Sequence, residues 1–183
     1  MKRSQKTLAG LLSGVLLSTT LMIPVANAQT NQDFPITPNE ELQLMPNEGL
    51  SNEMLIEIIQ SEKENFIDPS YGDYLIEKLQ YDSNNGIQTY GKVTLTAKAG
   101  AKALKAAMNK IGQKAWDAAV KKMEKNFGTS LVVFHWKSMN QLINVLSNSS
   151  TTITDAISDY LVKNGFNRKF ANILARTFAT IFL

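Results

Sequence analysis

The sequence predicts an all-α fold: a small helical bundle in the C-terminal part, preceded by a partly disordered acidic helical segment. Three observations carry this expectation. Beyond Gly91 there is no proline, 45 of the 93 residues are apolar, and the apolar residues recur at helical spacing between recognisable caps. Cysteine is absent and His135 is the one histidine, which excludes a disulfide framework, a thiolate nucleophile and any metal centre built on sulfur or several imidazoles.

Met1 to Ala28 has the plan of a secretory signal peptide. Lys2, Arg3 and Lys6 form the charged end, Leu8 to Ile23 is apolar or small, and Pro24 precedes the small-x-small pattern Ala26-Asn27-Ala28. Cleavage is expected after Ala28, with the mature chain secreted to the extracellular side; a retained membrane anchor is the alternative. Residues 29–90 hold twelve acids and two bases, a net −10, and residues 91–183 hold fourteen bases and four acids, a net +10. The whole-chain charge of +3 therefore belongs to the signal, and the expected mature protein is two oppositely charged parts.

Gln29 to Gly49, with Pro35, Pro38 and Pro46, reads as an extended or disordered arm. Ser51 can cap a helix bearing Leu55, Ile58, Ile59 and Phe66, with Leu50 and Leu55 spaced as a hydrophobic staple, and Asp68-Pro69 stops it. A short helix, Tyr71 to Leu79, is expected next. Tyr81 to Gly86 reads as a turn or loop, and Asn85, Gly86 and Gly91 mark a region where a propeptide could be cut.

The Ala- and Lys-rich stretch from about Thr96 to Phe127 follows. Leu104, Met108, Ile111 and Ala115 share one face, and Trp116, Ala119, Val120, Met123 and Phe127 continue on a face rotated part of a turn onward. Lys98, Lys102 and Lys105 project over that later apolar face, so either Gly112 breaks the helix or the basic rows wrap around it. Gly128 suits a helix C-terminus, and Thr129 or Ser130 can cap a helix from about Leu131 to Leu146 carrying Val132, Trp136, Met139 and Ile143. A strand is the alternative for its β-branched start. Thr152 with Asp155 resembles a capping box for a helix ended by Asn164-Gly165, and a last helix begins at Asn167 or Arg168.

No catalytic constellation stands up, and the sequence implies neither cofactor nor resident metal. His135 has no partner histidine or cysteine, and its expected place is the margin of a core or groove. Ser130 lacks the Gly-x-Ser-x-Gly elbow of a hydrolase. Ala99-Gly100-Ala101-Lys102 lacks the glycine spacing and the Lys-Ser/Thr ending of a phosphate loop. Glu40-Glu41 and Glu62/Glu64 read as solvated charge runs, so the expectation is that the chain is not an enzyme.

The basic part carries a binding signal. Lys98, Lys102, Lys105, Lys110, Lys114, Lys121, Lys122 and Lys125, with Trp116 and Trp136, have the composition of a cationic amphipathic surface that lies on anionic lipid. Each such lysine contributes about 1 kcal/mol at most near an anionic surface, less as salt rises. A bundle helix with a solvated lysine face is the other reading. Nucleic acid is not expected as a partner, because arginine and interleaved aromatics are scarce.

The layout resembles the precursors of secreted non-lantibiotic bacteriocins of the streptococcin and enterocin V type. The resemblance is carried by Tyr71-Gly72-Asp73-Tyr74-Leu75-Ile76-Glu77-Lys78-Leu79, by Lys110-Ile111-Gly112-Gln113-Lys114-Ala115-Trp116, and by the Phe170 to Leu183 ending. It implies an antibacterial polypeptide acting at the target-cell membrane, a processing protease that removes the acidic segment, and an immunity protein in the producer. It also implies a disulfide in the active part, which this cysteine-free chain departs from. A secreted helical binding or inhibitor module, with the acidic segment a permanent part of the fold, is the alternative.

Overall fold

The acidic and basic parts contribute to one hydrophobic core. The computed structural model describes residues 49–85 and 95–183, and every regular element among them is helical. The expected signal segment with Ala26 and Ala28, residues 29–48 of the arm, and Gly86 and Gly91 lie outside the described residues.

Helix α1 spans Asn52–Glu62 and starts as its sequence dictates, with the Ser51 hydroxyl accepting the Met54 N–H at 3.4 Å. It ends earlier than expected, in a 3-10 turn at Lys63–Asn65. Helix α2, Pro69–Asn84, opens with proline at its first position, where the missing N–H costs no hydrogen bond. It runs well past Leu79, so the loop expected from Tyr81 is helical as far as Asn84. Its two tyrosines, Tyr71 and Tyr74, stack at 5.8 Å.

The long Ala/Lys stretch is two helices, α3 (Ala97–Ile111) and α4 (Gln113–Phe127), broken at Gly112. Gly112 has φ 78°, a conformation that favours glycine because it has no Cβ. The break turns Trp116, Val120 and Met123 into the core while Lys98, Lys102 and Lys105 stay exposed. This resolves the overlap of faces that one continuous helix would have produced. Gly128 closes α4 at φ 65°, its N–H returning to the Glu124 carbonyl.

The segment expected as one helix from Leu131 begins instead as two 3-10 turns, Val132–Phe134 and Trp136–Ser138, without side-chain caps from Thr129 or Ser130. Val132, Val133 and Phe134 are β-branched or aromatic and resist the α conformation, and the regular helix α5 starts only at Met139 and ends at Asn148. Helix α6, Ile153–Lys163, is capped by Thr152, whose hydroxyl accepts the Asp155 N–H and meets the Asp155 carboxylate at 2.7 Å. Helix α7, Arg168–Phe182, is capped by Asn167.

Helices α6 and α7 pack along each other, α3 lies against α5 and α6, and α1 and α2 cover α4 and α3 from the acidic side. The contact of α3 with α6 is close enough that a Cβ on Gly100 would sit 2.0 Å from the Ile153 Cδ1. An antiparallel bridge pairs Thr96 with Thr152 and fixes the start of α3 against the start of α6. Together the helices bury Leu55, Ile58 and Ile59 of α1 and Leu75 and Leu79 of α2 in the same core as Leu104, Trp116, Leu142, Leu161 and Phe178.

Candidate functional site

The basic surface is built on the α3–α4 elbow. Alanines and leucine at 97, 101 and 104 face inward from α3, which leaves Lys98, Lys102 and Lys105 on its exposed side at i, i+4, i+7. On α4 the buried set Ala115, Trp116, Ala119, Val120 and Met123 leaves Lys114, Lys121 and Lys125 exposed. These six lysines make no ion pair with a carboxylate among the described residues.

Lys110 and Lys122 differ, because the acidic segment reaches them. Lys122 Nζ lies 2.9 Å from Glu62 at the end of α1, where the Ser61 hydroxyl also accepts from it. Lys110 lies 3.6 Å from Asp68 and 4.8 Å above the ring of Tyr71. The Ser70 hydroxyl bound to Asp68 at 2.5 Å, and secondarily the Lys110 charge, hold its carboxyl below the ordinary range.

The same segment satisfies the open end of α3. The last carbonyls of a helix have no intrahelical donors; here the Asp68 N–H donates to Lys110 O at 2.8 Å and the Ile67 N–H to Ile111 O at 3.4 Å. The Ile67 side chain lies over Gly112, so that a Cβ there would stand 2.9 Å from it. The elbow is thus held in part by residues of the acidic part.

Trp116, expected among headgroups, is wholly buried at 0% exposure. Its ring stacks on Phe182 at 4.1 Å and meets Phe178 edge-on at 6.0 Å, and its Nε1 donates to the Phe134 carbonyl at 2.8 Å. A buried indole needs such an acceptor, and this one explains why tryptophan fits inside. Trp136 is half-buried, edge-on to Trp116 at 6.3 Å, with its backbone N–H on Asp117.

His135 lies between the two acids of α4. Its Nδ1 is 3.2 Å from Asp117 and its Nε2 3.2 Å from Glu124, while the same carboxylates accept the Trp136 and Leu131 N–H groups at 2.8 and 2.7 Å. A neutral imidazole donates from one nitrogen only, so both contacts are hydrogen bonds only for the imidazolium. The cluster clamps the irregular 131–136 segment onto α4, and both ring nitrogens of His135 face carboxylates. Among the described residues there is no group of three or more acidic or histidine side chains arranged to hold a metal.

A shallow cavity of about 280 Å³ opens where α1 crosses α4, floored by Met54 and Ile58 and edged by Glu57, Lys122 and Lys125. Asn85, the described member of the expected cleavage region, is exposed just past α2. No helix among the described residues is long and apolar enough to cross a membrane. The caps given by Ile67 and Asp68, and the clamp around His135, escaped the sequence reading. A signal for the clamp did exist, since Asp117 and Glu124 are the only acids of α3 and α4. Neither a protein family, nor a curated protein, nor a solved structure matches the chain.

Proposed function

We propose that the chain is the precursor of a secreted antimicrobial polypeptide, or bacteriocin, whose basic helical part acts on anionic bacterial membranes after removal of the acidic segment. The observation that carries this reading is the double role of residues 51–84. The helices that bear the acidic charge also cover the apolar side of α3–α4 and pair with Lys110 and Lys122. Removing them would uncover lysines and apolar surface together, the combination that drives interfacial adsorption. Disturbance of the bilayer then follows by insertion of a hairpin or an oligomer. A processing protease cutting between α2 and α3, and an immunity protein in the producer, complete the proposal.

The test is dye release from phosphatidylglycerol vesicles at low salt. A full chain carrying an inserted protease site within residues 86–94 is compared before and after cutting, alongside killing of bacteria by the same two samples. Leakage and killing are expected only from the cut chain. Equal activity of the two, or none from either, overturns the reading.

A second reading, a secreted binding or inhibitor module, is favoured by the common core and by the capping of α3 from Ile67 and Asp68. It expects the mature protein in culture supernatant to retain the acidic segment. The mass of the secreted species separates the two readings.

A further inference from the structure

The anchors of the acidic segment precede in sequence the residues that tie it to the basic part. Glu62 with Lys122, Ile67 and Asp68 with the end of α3, and Tyr71 Oη donating to Phe182 O at 3.3 Å all fall between residues 61 and 71, well upstream of the 86–94 connection. The apolar anchors Leu55, Ile58, Ile59, Phe66 and Leu75 also precede it.

Downstream, the start of α3 is fixed without the connection. The Ala97 N–H donates to Thr151 O at 3.0 Å, the Ile153 N–H to Leu95 O at 2.9 Å, and Thr96 caps the helix. A cut between 86 and 94 therefore breaks none of the described contacts that hold the two parts together.

We propose that residues 49–85 are a dissociable partner of the α3–α4 elbow: after such a cut they stay bound as an inhibitor, and an anionic bilayer displaces them. The inference rests on the precursor reading above and adds its regulation. The charge pattern explains the displacement. The described acidic segment carries eight acids and two bases, while α3 and α4 carry eight lysines and two acids, both held by His135. Six of those lysines are exposed and pair with no carboxylate among the described residues, which leaves them for first contact with a negative surface. Once adsorbed, the surface competes with Glu62 and Asp68 for Lys122 and Lys110, and a zwitterionic surface offers no such competition.

The full chain with a protease site inserted within 86–94 tests this. After cutting, both fragments are expected to co-elute in gel filtration at low salt. Flotation with phosphatidylglycerol vesicles should carry the basic fragment upward and leave the acidic one behind, whereas phosphatidylcholine vesicles should leave the pair intact. Separation or precipitation on cutting alone overturns the inference, and so does joint flotation, or release that does not depend on lipid charge. The double variant Glu62→Gln, Asp68→Asn, checked for folding by circular dichroism while uncut, should bind its cut segment about tenfold more weakly. Unchanged binding removes the charge argument. Co-elution and displacement without leakage or killing would sink the precursor reading alone, and killing by fragments that separate on cutting would sink this inference alone.

Discussion

The two sides of the α3–α4 elbow are packed by different means. On one side α5, α6 and α7 supply apolar and aromatic matter: Ile153 over Gly100, Phe178 and Phe182 around Trp116, Phe134 stacked on Phe178 at 4.1 Å. On the other side α1 and α2 bury leucines and isoleucines but finish their edges with charge, Glu62 on Lys122 and Asp68 on Lys110. Dispersion and apolar burial are indifferent to moderate salt, whereas partly exposed ion pairs weaken with it. The first side is built as a permanent core; the second is a cover whose hold responds to its surroundings.

The largest expected effects lie on the permanent side. Trp116→Ala deletes the ring at the centre of the aromatic cluster and orphans the Phe134 carbonyl, and should cost about 3–5 kcal/mol in urea unfolding. Gly100→Ala gains up to about 1 kcal/mol of helix propensity but sets a methyl 2.0 Å from Cδ1, 2.8 Å from Cγ1 and 3.1 Å from Cβ of the fully buried Ile153, so that turning the end of that side chain does not clear the clash. A net loss of about 1–3 kcal/mol is expected. Both losses should be the same at low and at high salt; a marked salt dependence in either would dissolve the distinction between the two sides.

How much of this was legible in the sequence depended on the range of the cause. Caps at Ser51 and Thr152 act within one turn, and each forms where its residue stands. The apolar stripes of α6 and α7 likewise needed only local spacing. The fate of Gly112 did not, because the donors that cap α3 there come from Ile67 and Asp68, more than forty positions upstream. Trp116 failed as a surface residue for a similar reason. Amphipathic character fits an indole to an interface or to a core with an acceptor, and the acceptor was a backbone carbonyl at Phe134 that no residue type announces. The lysine rows were visible, but not which two of the eight would be engaged by acids of the other part.

On the cover side, Lys122→Gln removes the partner of Glu62, a carboxylate only 12% exposed in its side chain. The expected loss is about 1 kcal/mol at low salt, because the pair is partly screened by solvent. It should shrink when urea unfolding is repeated in high salt, where the wild-type pair is itself weakened. A loss that stays constant with salt would mean that Lys122 contributes by packing its stem, not by its charge.

The smallest effect sits where the cover touches the permanent core. The Tyr71 phenol, half-buried, is pushed up to about 12 by burial first and by the neighbouring Tyr74 second, and its O–H donates to the Phe182 carbonyl at 3.3 Å. A folded-state value above the ordinary phenol value near 10 means that the protonated form favours folding. This contribution is complete below about pH 10 and fades as the pH climbs toward about 12. Tyr71→Phe should therefore cost about 0.5 kcal/mol at neutral pH, the low end for a hydrogen bond of this length. The urea midpoint of the wild type should fall to that of the variant just above about pH 10 and below it as the pH climbs toward about 12, because the wild type alone loses a proton at this position and the burial that opposes it outweighs the hydrogen bond. Parallel midpoints across that window would show that the phenol is not buried against α7.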